Sequence, residues 1–218
     1  MAFQTLLQLR TRLNIDLGLT DDTAATPWGS EAVRNEAIRD GFERLWPAMR
    51  RMREERQDYD ATKQVYELAE VKDVQLVAVE SADGIIRNDL KNWRNFAVDD
   101  DPVRYTLRMS TATGINGGVL VISGYAPYKS FFSGDADQCD LTDRLCWIPL
   151  LGARAWLYRR RYHEFLDYEQ HANLNRDNAM DPPTLFNAYQ DAEAMFQQAL
   201  EQHRYEVAYP RRSRVTGR

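Results

Sequence analysis

No stretch of this 218-residue chain is apolar for long enough to cross a bilayer. A spanning helix needs about 20 consecutive apolar residues, and the longest candidates, such as "GGVLVISGYA", are strand-sized. No membrane association is expected. No secretory leader is expected either, because "MAFQTLLQLRTRL" places its arginines after the apolar residues and repeats at helical spacing; the chain is expected to be soluble and intracellular when made. Basic residues are not in excess, with 28 Lys and Arg against 33 Asp and Glu and a pI near 5.3. That balance argues against a surface shaped as a whole to hold nucleic acid and confines any DNA contact to a local patch. Cysteine is scarce, only Cys139 and Cys146. On a helix their spacing of seven would separate them by roughly 10 Å, too far for a disulfide, so they read as reduced, packed thiols.

Motifs that carry chemistry are missing as well. Histidines 163, 171 and 203 are scattered without metal-ligand spacing, and His163 with Asp167 reads as a surface pair. "GINGG" lacks the lysine and Ser/Thr of a phosphate-cradling loop, and "SGDAD" opens no EF-hand. No Gly-x-Ser-x-Gly elbow occurs, and Ser123 reads as a strand end. Asp99, Asp100 and Asp101 in "VDDDP" would repel one another unless a cation or an arginine joined them. No enzymatic activity, cofactor or metal is expected.

What is present is a chain that is 44% hydrophobic and able to bury a real core, as one elaborated domain or two small ones. Phe3, Leu6, Leu7, Leu13 and Leu17 share one face of a first helix. After the break "GLTDDTAATPWGS", Ile38, Phe42, Leu45, Met49 and Met52 step by three and four along a second helix, a narrow seam that suits a partner helix, with a kink or restart at Pro47. "RRMREERQDYD" reads as a solvated helical face with pairs such as Arg51 and Glu55. From about residue 62 to 128 the pattern turns to strands separated by "SADG" and "INGG".

Helix returns at Asp140 or Thr142 and runs to about Tyr168, with Leu145, Ile148, Gly152, Ala155, Tyr162 and Leu166 on one face. Inside it stands "RRR". At about 100° per residue these arginines point three ways: Arg159 falls on the apolar stripe, Arg160 is four before Glu164, and Arg161 projects near the opposite side, where Leu150 and Leu157 also lie. The first half of this helix is therefore apolar nearly all round. Either a neighbouring subunit covers it or it is a central core helix. The loop "NLNRDNAMDPPT" leads to an ordinary amphipathic helix bearing Leu185, Ala188, Tyr189, Ala192, Met195, Phe196, Ala199 and Leu200. The end, "RYEVAYPRRSRVTGR", alternates Tyr205, Val207 and Tyr209 and adds Arg211, Arg212 and Arg214. It suits either a strand added to another subunit's sheet or a solvated terminus.

The expected fold is α+β: mainly an α-helical bundle (1–57 and 140–204) with an inserted small antiparallel β module (58–139) and an extended C-terminal arm (205–218). In layout, "TLLQLRTRLNIDLGL", "SEAVRNEAIRDGFERLW" and the late pair "LTDRLCWIPLLGARAWLYRRR" and "PTLFNAYQDAEAMFQQALEQHR" resemble the head-to-tail adaptor (connector) proteins of tailed bacteriophages. The β module departs from the simplest, all-helical adaptors. The resemblance implies a ring of twelve-fold symmetry in the virion neck, assembled in the host cytoplasm. It would join the portal above to a stopper or tail protein below and make passing contact with packaged DNA. The residues assigned to subunit or portal contact are Leu150, Leu157, Arg161, Tyr205, Val207, Tyr209, Arg211, Arg212 and Arg214. The alternatives are another neck component, a stopper or tail terminator, and a helical DNA-binding regulator for which "RRMREER" is the sole candidate recognition helix.

Overall fold

The computed structural model describes residues 3–19, 28–80, 86–87, 93–98, 104–109, 117–171 and 182–204. The chain divides into two compact units, Met1–Met49 with Tyr128–Glu206, and Arg50–Pro127; the sequence pattern had suggested divisions at 57/58 and 139/140. The described residues form four helices and three antiparallel sheets. This corrects the expectation of a mainly helical bundle, since the sheets hold a hydrophobic core of their own.

In the first unit, strand β1 (Phe3–Thr5) leads into helix α1 (Leu6–Asp16). Thr5 closes a capping box: its hydroxyl accepts from the Gln8 N–H at 3.3 Å, and the Gln8 side chain accepts from the Thr5 N–H at 2.9 Å. Leu6, Leu9 and Leu13 are buried, and with them Arg10 and Asn14. The helix stops where Gly18 adopts φ 72°, a conformation that costs a residue without Cβ little.

Helix α2 (Glu31–Glu43) buries Arg34, Ala37, Ile38, Gly41 and Phe42. The expected seam to Met52 ends early, because a residue before proline disfavours helical backbone and Pro47 follows within a turn. Leu45 and Met49 nevertheless reach the same core from the irregular segment beyond the helix.

Helices α3 (Trp147–His171) and α4 (Pro182–His203) complete this unit, and α3 packs on α1, α2 and α4. Where α2 meets α3, a Cβ on Gly41 would lie 2.1 Å from the Pro149 carbonyl oxygen, and one on Gly152 would lie 3.2 Å from the Gly41 Cα and from the Phe196 ring. Only hydrogen fits at Gly41, while at Gly152 a methyl would be tight but would need its neighbours to give by only a few tenths of an ångström.

The second unit starts with β2 (Arg51–Tyr59), a strand where the sequence had suggested a helical face. Strands β3 (Val65–Leu68), β4 (Asp73–Glu80), β5 (Ile86–Arg87), β6 (Trp93–Val98), β7 (Arg104–Met109) and β8 (Gly118–Ala126) follow. They pair as β2-β8-β4-β5 and β3-β7-β6. Tyr66, Leu68, Val77, Leu107, Leu120 and Ile122 lie in one cluster fed by both sheets.

The charges of β2 serve the sheet edge. Arg53 pairs with Glu70 at 3.3 Å, Arg56 with Glu54 at 2.8 Å and with Glu80 at 3.1 Å. Glu55, expected to pair with Arg51, accepts the N–H groups of Ala69, Glu70 and Val71 at 3.0 to 3.4 Å, while Arg51 donates to the Pro127 carbonyl at 3.0 Å. Charged edge strands resist pairing with a foreign strand.

Strand β9 (Gln138–Thr142) belongs to the first unit and pairs antiparallel with β1, Phe3 opposite Thr142 and Thr5 opposite Gln138. A single 3-10 turn (Asp143–Leu145) joins it to α3. This geometry corrects the separation expected of the two cysteines, while both thiols are free and buried as expected. With strand and turn in place of helix between them, the Cys139 and Cys146 sulfurs lie 3.5 Å apart.

Candidate interaction site

Leu150 and Leu157, assigned to contact with another chain, are 3% and 2% exposed within the core of the first unit. Their own chain covers them, so the assignment is corrected: α3 is a central helix. Arg161 is half-buried and faces Glu164 at 3.6 Å. Arg159, expected on the apolar stripe, is exposed, and its charge acts on Asp40 of α2 and Glu193 of α4. Tyr205, Val207, Tyr209, Arg211, Arg212 and Arg214 lie outside the described residues, as do Asp99, Asp100 and Asp101. Among the described residues no three His, Cys, Asp or Glu side chains gather as a metal site. His163 stacks edge-on to Tyr162 at 5.6 Å, and His203 to Trp147 at 5.8 Å.

The structure builds a polar groove that the sequence reading did not find. It lies between α2, Leu6 of α1 and the segment 132–135, with a volume of about 630 Å³. The segment is held by carboxylates. Asp137 accepts from the Ser133 N–H and hydroxyl, each at 2.7 Å, and from Lys129 Nζ at 3.3 Å. The two bonds from Ser133, followed by the lysine, keep the Asp137 carboxyl below its usual range. Asp140 accepts the Lys129 N–H at 2.9 Å.

This segment also ends α1. The carbonyls of Asp137 and Asp135 accept from the Leu6 and Leu7 N–H groups at 2.9 and 3.2 Å, satisfying first-turn donors that have no partner within the helix. Phe132 packs edge-on against Phe42 at 5.6 Å.

Arg10 ties these pieces together. At 2% exposed, its guanidinium meets both oxygens of Asp135 at 2.8 and 3.1 Å, Glu31 at 2.8 Å and the Asn35 side-chain oxygen at 3.1 Å. A two-pronged arginine–carboxylate pair fixes orientation as well as charge. At the rim, the Arg39 guanidinium lies 5.1 Å from the centre of the Phe131 ring, which is 62% exposed. Glu36 stands on the same wall. Arginine and aromatic side chains such as these are enriched at protein interfaces in general.

One sequence signal could have found this groove. Arg10 interrupts the series Leu6, Leu13, Leu17 at a position where the helix stripe calls for an apolar side chain. A charge there must bring its own partners.

No protein-family model matches the chain, and no curated protein matches it in sequence.

Proposed function

We propose that the chain is a structural protein of a tailed-phage neck, an adaptor whose copies form a ring, twelve-fold by resemblance, between the portal and a stopper or tail protein. In this reading it is not an enzyme, it assembles in the host cytoplasm, and it ends in the virion. The observation that carries the proposal is the apolar surface that the first unit leaves in solvent. Leu7 and Ile15, on one edge of α1, are 44% and 68% exposed, and the same unit also exposes Phe131 and, on α4, Phe186 and Met195. Single exposed apolar residues are ordinary, but two on one helix edge, in a unit that also exposes aromatic rings, are what a subunit contact would use. The greasy surface of the sequence argument thus moves from α3 to α1 and the groove rim.

The predominantly β neck components, stopper and tail terminator, draw support from the sheets of Arg50–Pro127, but the four helices favour the adaptor. The DNA-binding regulator loses its recognition helix, because "RRMREER" lies almost wholly in strand β2.

The test is particle mass with and without a cognate portal ring. The protein should bind the ring in several copies. Leu7→Asp with Ile15→Asp should abolish binding while leaving the unfolding midpoint unchanged, and so should removal of residues 205–218. Full binding by both variants refutes the proposal.

A further inference from the structure

Cys139 on β9 and Cys146 at the entry to α3 are 2% and 0% exposed, and their sulfurs are in contact at 3.5 Å. Cys139 Sγ reaches the Leu141 carbonyl at 3.3 Å, and Cys146 Sγ lies 3.5 and 3.4 Å from the Leu141 and Thr142 carbonyls. The 3-10 turn holds the reversal, with the Cys146 N–H donating to the Asp143 carbonyl at 3.3 Å. Filling this part of the core asks only for two small apolar side chains. Two thiols facing each other across a tight turn offer chemistry as well. A disulfide has its sulfurs about 2.05 Å apart, so closure needs a movement of about 1.5 Å, within reach of side-chain rotation.

We propose that Cys139 and Cys146 form an oxidisable dithiol that hydrogen peroxide converts to an intramolecular disulfide. The Cys139 thiolate attacks one peroxide oxygen; the O–O bond breaks, hydroxide leaves and takes up a proton as water, and Cys139 becomes a sulfenic acid. The Cys146 sulfur then displaces that hydroxyl, which leaves as water with the Cys146 proton, and the S–S bond forms. Two thiols and one peroxide give one disulfide and two waters.

The order of attack follows from the environment. The hydrogen bond between the two sulfurs brings Cys139 down to about 7, while that same bond and then burial push Cys146 up. Cys139 is the sulfur that reacts first. The oxidant reaches it when β1, only three residues long, frays from β9. The closed disulfide ties β9 to the start of α3. This chemistry is independent of the neck reading: it makes the chain a dithiol in a reducing compartment and a cross-linked form in an oxidising one.

The test uses the full folded chain treated with hydrogen peroxide, then unfolded and alkylated. The expected result is loss of both alkylatable thiols, a mass lower by about 2 Da before alkylation, a cross-linked peptide joining residues 139 and 146, and full reversal by dithiothreitol. In Cys146→Ser, dimedone should trap a sulfenic acid at Cys139; in Cys139→Ser, trapping at Cys146 should be much weaker. Cys146→Ala, which has no hydrogen bond to offer the Cys139 sulfur, should trap more slowly at Cys139 than Cys146→Ser. Two thiols still free after peroxide, a disulfide between chains, or equal trapping in the two variants would each overturn the proposal.

Discussion

Replacing Arg10 by methionine keeps an unbranched stem in the core and deletes the guanidinium. Breaking a buried ion pair from one side costs about 3–5 kcal/mol when the remaining charge stays dry. Here the partners do not stay dry, since the Asp135 and Glu31 side chains are each 49% exposed and rehydrate. The loss therefore falls towards the net worth of the charged hydrogen bonds, about 1.5–3 kcal/mol each and less than additive. That gives about 3 kcal/mol for the site, or an unfolding midpoint lower by about 6–12 °C for a protein of this size. The assay is thermal unfolding followed by tryptophan fluorescence, repeated at about 0.5 M NaCl. Salt should leave most of the difference in place, because a buried guanidinium is poorly screened. Asp135→Asn should cost less, and the double variant should cost less than the sum of the two. A midpoint for Arg10→Met within 2 °C of the parent, or a difference that salt erases, would refute the claim that this residue organises the groove.

Gly41→Ala should destabilise the first unit by about 3 kcal/mol or more, since the new methyl meets the Pro149 backbone oxygen at 2.1 Å, whereas Gly152→Ala should cost less because the Phe196 ring can give way; urea unfolding of the two variants gives the comparison. Burial raises the folded-state pKa of Asp40 above its ordinary 3.8, with Arg44 and Arg159 opposing and Glu43 and Glu193 adding to the rise. The folded state then takes up a proton more readily than the unfolded one, so stability falls as pH rises through the folded pKa. Asp40→Asn should be more stable than the parent at pH 7, with the advantage shrinking as pH falls towards 3.8; a gap that does not change over this range contradicts it. Leu150→Ala should cost about 2–5 kcal/mol as a core cavity, independent of protein concentration, and concentration dependence would return Leu150 to an interface.

The helices were legible wherever the apolar period and the end signals agreed. Of the α4 face read from the period, Leu185, Ala192, Phe196, Ala199 and Leu200 are buried but Met195 is 49% exposed, and of the α1 face Leu6 and Leu13 are buried but Leu7 is 44% exposed. Strand β2 was not legible. Its inward positions before Tyr59 are Glu55 and Gln57, which are half-buried because Glu55 binds the N–H groups of residues 69–71 and Gln57 donates to the Glu67 carbonyl. With polar residues facing inward, no apolar alternation marks the strand, and Arg/Glu spacing fits a helix equally well. The groove was hidden for a different reason. Its floor joins Arg10, Glu31 and Asp135 from three distant parts of the chain, and ion-pair complementarity of that kind has no local period. The cysteine distance failed because it was calculated on a helix that gives way to a strand and a turn.

The α3 helix shows how far an all-round apolar pattern can be pressed. Such a pattern states that every side must be covered and is silent on whose side chains do the covering. Leu150 and Leu157 are sealed because α1, α2 and α4 all reach α3, and α2 does so at the distance that Gly41 and Gly152 permit. A larger residue at Gly41 would meet the Pro149 backbone and press the two helices apart, whereas at Gly152 its neighbours need to give by only a few tenths of an ångström. The close approach that helps seal the leucines of α3 thus depends chiefly on one glycine of α2, which appears in no count of hydrophobic residues. The surface left in solvent is then set by what α3 cannot reach. It includes the outer edge of α1 at Leu7 and Ile15, which faces away from the core residues Leu9 and Leu13.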